Sequence, residues 1–512
     1  RRGHAPRNGH EGAMSLVDVD FAFWFPVVFG IYWLLPRKAS YQNAVLLGFS
    51  YLFYFSWNPR LLPLLLLATA VDYGVSEYLA THAAPSADDS SPEAAARRRA
   101  RRRALALSLV YNLGALAYFK YAGFFAESLN QQLALLGFHA SLPVLKVILP
   151  LGISFYTLQK LGYIFDVYRG RLEPCRSVLV FGTFVAFFPQ VIAGPISRGS
   201  QLIPQLASPR TLRERQIVEG ASAFLLGYIL KAFVADTIGP AIVDPVFANP
   251  GTFGVGAHWY ALVGYAVQVF ADFGGYSFLA IGCARFLGIE LPLNFDYPYL
   301  SKSLPEMWRR WHITLNRWLF DYIYDPLVGG TGWWRGRFDA GLTLVFLASG
   351  LWHGARATFI LWGAMHAVGM VVQRHWDEYY RGLCRRDRSY VERRRSLPYR
   401  TAAWTLTQGF FLLALVPFRA GTWTTTTSFA SGLLSGGEGF PVISQALTRI
   451  SVPIGLAFVV LYHLSKLPRI ERWWTRFLAL PAPVRGMVYG LVVAWLLLFV
   501  PLNATTFIYR QF

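Results

Sequence analysis

The sequence predicts an all-α, polytopic membrane protein, and three observations predict it. Apolar residues are gathered into long runs: 61–71 reads Leu-Leu-Pro-Leu-Leu-Leu-Leu-Ala-Thr-Ala-Val, and 485–502 is almost wholly apolar. Charged residues make up 15% of the 512, where a soluble domain carries about a quarter. Hydrophobic residues reach 54% and mean hydropathy is +0.36. A bilayer core takes about 20 mostly apolar residues per helix, and the chain supplies roughly 11–13 such segments. A soluble enzyme, a disordered chain and a disulfide scaffold are all excluded.

In order, the expected spans are 19–35, 42–57, 61–80, 104–126, 143–165, 178–193, 221–243, 258–283, 338–350, 356–373, 401–417, 452–464 and 484–502. Pro59 separates the second from the third, which reads as a helical hairpin. Residues 1–13 read as a disordered N-terminal extension, with Met14 a plausible start, and 14–512 as a single integral membrane domain. The run from Val19 to Leu35 has no small-residue cleavage site and reads as the first span. No period of 20–50 residues recurs, so neither a solenoid nor an inverted repeat is expected.

Charge then orients these segments. Lys plus Arg is 48 against 28 for Asp plus Glu, a net +20. The arginines cluster in short polar stretches: Arg97 to Arg103 within 81–103, and Arg381 to Arg395 within 374–400. Both read as basic cytoplasmic loops under the positive-inside rule, with anionic membrane lipid as their partner and no nucleic acid. Cys175, Cys283 and Cys384 lie far apart without metal or redox spacing, so no metal site is expected.

Residues 284–337 depart from the pattern: too polar for an ordinary span, yet rich in Trp and Tyr. Ser303-Leu-Pro-Glu306 reads as a capping box with proline near the helix start. One continuous helix from there places Trp311, Leu315, Trp318 and Tyr322 on one stripe, and Arg309, His312 and Asn316 on its neighbour. Such an amphipathic helix either lies at the interface or re-enters the membrane. Irregular backbone at depth is tolerated where protein or a water-filled cavity covers it, so a tunnel is expected nearby.

No GxSxG, Walker A, HExxH or dinucleotide fingerprint is present. What remains is ionisable residues inside apolar segments: His353, Arg356 and His366 interrupt Leu342 to Val372, with Trp352 beside the first. An ionisable group at that depth usually marks a pathway or a site. For His353 the alternative is a neutral ring bonded to a helix carbonyl. His366 lies 13 residues on, too far for a two-histidine metal site on one helix, and reads as structural. His312 serves equally as an interfacial histidine, the Trp stripe as an interface belt, and Asp272 as a helix-end cap or a cavity carboxylate.

Taken in order, Phe295-Asp-Tyr-Pro-Tyr299, Met307-Trp-Arg-Arg-Trp-His-Ile-Thr-Leu315 and Gly350-Leu-Trp-His-Gly-Ala355 resemble the membrane-bound O-acyltransferase (MBOAT) family. The likeness is to the branch of bacterial alginate O-acetyltransferase membrane subunits and teichoic-acid D-alanyl transferases. It extends through Leu149-Pro-Leu-Gly-Ile-Ser-Phe-Tyr156, Phe188-Pro-Gln-Val-Ile-Ala-Gly-Pro195 and Asp272-Phe-Gly-Gly-Tyr-Ser277 to the ending Phe507-Ile-Tyr-Arg-Gln-Phe512. Departures include Phe320 where relatives commonly carry arginine, and Phe278 where an Asp is usual.

The resemblance implies membrane helices around a catalytic tunnel, with His353 as the essential histidine and His312 as the second. Acyl transfer from a thioester needs a base near neutral pH, which imidazole supplies. It further implies no bound cofactor and an acetyl-CoA or other acyl-CoA or acyl-carrier donor, held through Arg309 and Arg310, with Trp311, Asn316, Asp272 and Trp352 as further donor- or substrate-binding residues. The implied setting is the bacterial inner membrane. The acetyl group would go to an exported polysaccharide or to a periplasmic SGNH-hydrolase-like acetyltransferase. Two alternatives stay open: D-alanyl or longer-chain transfer to a teichoic-acid-like polymer, lipid or protein, and a transporter or channel without chemistry.

Overall fold

A computed structural model of the chain describes residues 14–86, 88–137, 149–435, 451–466 and 475–499. The readings placed on residues 1–13 and on Phe507-Ile-Tyr-Arg-Gln-Phe512 lie outside the described residues. Those described form helices and turns and no strand, as the apolar runs require. The described residues pack as two compact units, within 1–224 with 279–292 and within 225–278 with 293–512.

The first unit holds α1 (Val19–Leu34), α2 (Ala39–Trp57), α3 (Leu62–Thr81), α4 (Pro92–Leu135), α5 (Ile153–Tyr168), α6 (Val178–Ala186), α7 (Phe188–Val191) and α8 (Gly199–Ala207). Its interior holds a buried polar network around one ion pair. Lys160 Nζ lies 3.0 Å from Asp72 Oδ2, and both side chains are fully buried. Asp72 also accepts from Ser108 Oγ and Asn112 Nδ2, while Lys160 donates to Asn112 Oδ1 and the Ala68 carbonyl. A buried charge pair persists when its remaining lone pairs and protons are satisfied in this way.

The basic stretch 81–103, expected as a loop, is helical from Pro92 onward. Ser91 Oγ accepts from Ala94 N and Pro92 takes the first helical position, so the helix starts before the arginines. Ala and Arg are both strong helix formers. Arg101 turns inward and donates to the Leu79 carbonyl at 2.9 Å and the Tyr168 carbonyl at 2.7 Å, at the C-terminal ends of α3 and α5. Cations are favoured there.

The helix α9 (Glu214–Ala248) and then α10 (Val255–Phe286) lead into the second unit. It continues with α11 (Leu304–Arg310), α12 (Ile313–Leu319), α13 (Phe338–His353), α14 (Ala357–Arg386), α15 (Ser389–Arg395), α16 (Leu397–Ala420), α17 (Trp423–Gly432), α18 (Ser451–Leu464) and α19 (Ala482–Phe499). The second basic stretch, 374–400, is likewise mostly helical, running through the end of α14 and α15 into α16.

By length and composition, Pro59–Thr81, α9, α10 and α16 suffice to cross a membrane, and α1, Val178–Val191, Val452–Leu464 and Ala482–Leu496 are shorter apolar helices. The protein is an all-α, multi-pass membrane protein.

Candidate active site

Local sequence alone would carry one helix from Ser303 through Tyr322, and its start is as expected: Ser303 Oγ accepts from Glu306 N at 3.3 Å. The helix then breaks. His312 takes a left-handed conformation, φ 43°, between α11 and α12, so the expected stripe and its neighbouring face are not continuous. Residues 294–296 hold the break open. Asp296 N donates to the Arg310 carbonyl and Ile313 N to the Asn294 carbonyl, both at 2.9 Å, and Asn294 Oδ1 accepts from Thr314 Oγ1. Asn316 Nδ2 donates to the Trp308 carbonyl at 2.8 Å, closing the turn from the other side. A left-handed non-glycine residue is uncommon, and these bonds compensate its cost.

The turn buries the His312 ring, which meets Phe273 edge-on at 4.6 Å and Trp352 at 5.5 Å. Trp352 and His353 end α13. That helix lies backbone to backbone on α14: a Cβ on Gly350 would fall 2.3 Å from the Phe359 carbonyl oxygen, and one on Gly363 2.5 Å from that of Phe346. Small residues at such a crossing are how membrane helices pack closely. Here they fix the end of α13, and with it His353.

The His353 ring is 5% exposed and sits among Trp352 at 5.1 Å, Trp362 at 5.0 Å and Phe418 at 4.9 Å. Trp362 in turn meets His366 at 4.8 Å, and His366 meets Phe410 at 5.4 Å. Phe410 lines a cavity of about 760 Å³ beside α11, α14 and α16, whose other walls include Lys302, Leu304, Val372, Arg394 and Arg400. A chain of rings therefore joins a cation-bordered cavity to His353.

Of the residues singled out from sequence, the structure brings His312, Trp352 and His353 together. Trp311 packs into a different aromatic group with Phe295 and Phe411, both at 5.1 Å. Arg309 is exposed, while Arg310 pairs with Glu306 at 3.1 Å and Asp296 at 3.7 Å. Asp272 is buried, its Oδ1 2.7 Å from Lys231 Nζ, which also reaches Asp236 Oδ1 at 2.6 Å.

Lys231 was not singled out, although a lysine inside span 221–243 is itself a signal. It falls in a π-helical stretch of α9, Ile229–Ala235. Trp308, Trp362 and Phe418 were also missed. Trp362 and His366 share a helix face at i, i+4, a spacing that says nothing of their partners.

Two buried imidazoles against one indole are placed to take up and pass on a proton. Comparison with known proteins agrees with that chemistry. A family model described as MBOAT, membrane-bound O-acyltransferase family, matches residues 175–416, a range that contains His312 and His353. A probable alginate O-acetylase AlgI of Azotobacter vinelandii is 39% identical over 357 residues, covering 69% of this chain and 67% of that protein. This chain belongs to the membrane-bound O-acyltransferase family.

The peptidoglycan O-acetyltransferase of Helicobacter pylori is 32% identical to this membrane-bound O-acyltransferase over 87% of the chain and 80% of that relative. The teichoic acid D-alanyltransferase of Bacillus subtilis is 28% identical over 46% of the chain and 62% of its own length. The membrane-bound O-acyltransferase described here is thus an acyltransferase, and the reading as a transporter or channel without chemistry is set aside.

Proposed function

We propose that this protein takes an acyl group, acetyl first of all, from a thioester donor on the cytoplasmic side of a bacterial inner membrane. It passes that group toward a hydroxyl of an exported polysaccharide, directly or through a periplasmic SGNH-hydrolase-like acetyltransferase. His353 is the general base that takes the proton of the attacking hydroxyl, and His312 positions the site or handles the second proton. The observation that carries the reading is the contact of one indole, Trp352, with both imidazoles at the end of α13. The names of the two O-acetylating relatives support a carbohydrate acceptor.

Lys302, Arg394 and Arg400 around the cavity suit the phosphates of an acetyl-CoA or acyl-carrier donor, a part first given to Arg309 and Arg310. Rings at 4.9–5.1 Å from His353 favour a two-carbon acyl group over a long chain. D-alanyl transfer is the second reading, supported by the teichoic acid relative.

The test is His353→Ala in a cell that makes the acetylated polymer. Polymer acetylation is lost while the protein accumulates normally; acetylation that persists at wild-type level overturns the proposal.

A further inference from the structure

Buried polar atoms in folded proteins are almost always hydrogen-bonded. Around His366 that rule fails four times over. Trp308 Nε1, Trp362 Nε1 and both ring nitrogens of His366 are buried with no hydrogen-bond partner among the described residues. The three side chains form one cluster: the His366 ring lies 4.9 Å from Trp308 and 4.8 Å from Trp362, and the two indoles are 5.7 Å apart. None is more than 6% exposed. Packing alone does not call for the nitrogens of His366, because phenylalanine would fill nearly the same space without burying an unmatched polar group.

We propose that Trp308, Trp362 and His366 form a subsite for the carbonyl oxygen of the donor's acyl group. The proposal rests on the acyl-transfer reading given above. An indole N–H only donates, and a neutral imidazole offers one N–H, so the cluster is rich in donors and suits a ligand atom that only accepts. Ring faces of Phe346 and Phe411, each 6.1 Å from His366, suit the methyl end of an acetyl group. The cluster also lies in the right order, between Phe410 at the cavity wall and His353.

In the reaction the acceptor hydroxyl oxygen bonds to the acyl carbon as its proton passes to His353. The carbonyl oxygen becomes an oxyanion that the ring N–H groups stabilise. The carbon–sulfur bond then breaks, its electron pair leaving on sulfur, which takes the proton back as a thiol. Donors that strengthen as charge develops act on turnover more than on ground-state binding.

The experiment compares the full-length protein with His366→Phe in proteoliposomes, using acetyl-CoA as the probe and measuring thermal unfolding together with kcat and KM. His366→Phe is expected to unfold at or above the wild-type temperature while kcat falls about 10- to 100-fold, with KM for acetyl-CoA within about threefold. An unchanged kcat, or a rise in KM alone, overturns the subsite. If His366→Phe does not accumulate, Trp362→Phe and Trp308→Phe are read in the same way. His353→Ala runs in parallel: if it is inactive while the Phe variants turn over fully, only the subsite fails. If it turns over too, the assignment of His353 as the general base in that reading fails.

Discussion

The indole of Trp352 packs against both histidines, its ring 5.5 Å from that of His312 and 5.1 Å from that of His353. One residue of α13 therefore sets two imidazoles that come from separate segments of the chain. A misplacement near 1 Å in such a constellation costs about 100-fold in rate. Trp352→Ala is expected to lower acyl transfer by about that factor, whereas Trp352→Phe, which keeps a ring between the histidines, stays within about tenfold. Equal losses in the two variants, read as acetyl release from the donor, would contradict a spacer role.

The left-handed backbone at His312 separates two functions that one substitution would otherwise confuse. Asn adopts that conformation more readily than most residues. His312→Asn is expected to fold and accumulate like the wild type, because Asn294 and Asp296 still hold the break, yet to lose most of its turnover with the ring gone. Full turnover in His312→Asn would leave His312 with a backbone role alone.

Helix approach controls where His353 stands. At Gly363 an added methyl group meets the Phe346 carbonyl oxygen, a backbone atom that cannot swing aside. Gly363→Ala is expected to cost about 1–3 kcal/mol by overpacking and to reduce transfer in the protein that still folds. Gly409→Ala, where an added Cβ meets nothing within 4 Å, is its control. Thermal unfolding of the two variants side by side makes the comparison.

Asp272 was expected at the substrate, and its ion pair with Lys231 allows a direct test of what it does. Lys231→Met leaves Asp236 and Asp272 buried together without their cation, and is expected to cost about 3–5 kcal/mol, seen as loss of accumulated protein. Asp272→Asn leaves Lys231 its bond to Asp236 and is expected to be milder. If Asp272→Asn instead folds normally and loses transfer, Asp272 belongs to the chemistry.

Much of this architecture was legible in the sequence, and the parts that were not share a cause. Apolar runs located α2, α3 and α16 within a few residues, because burial in a bilayer is a property of composition over a window. His353 stood out because an imidazole in an apolar segment is costly. The break at His312 was hidden, since local pattern favours a continuous helix and bonds from Asn294 and Asp296 override it. Arg101 was read with its neighbours as part of a basic loop, although helix propensity and carbonyl groups at the ends of two other helices draw it inward. Lys231 was overlooked because one of its two partners, Asp272, lies on another helix. The neighbours of His366, Trp308 and Phe410, were not legible either, because they come from other helices and spacing on α14 is silent about them.

The central claim is that His353 takes the proton of the attacking hydroxyl, and a single-turnover measurement tests it most directly. Proteoliposomes bearing wild-type protein or His353→Gln receive acetyl-CoA with an acceptor oligosaccharide, and free thiol and acetylated product are followed together. The wild type releases thiol in step with product, while His353→Gln, with an unchanged thermal transition, yields neither above background. Product formation at the wild-type rate in His353→Gln would contradict the account.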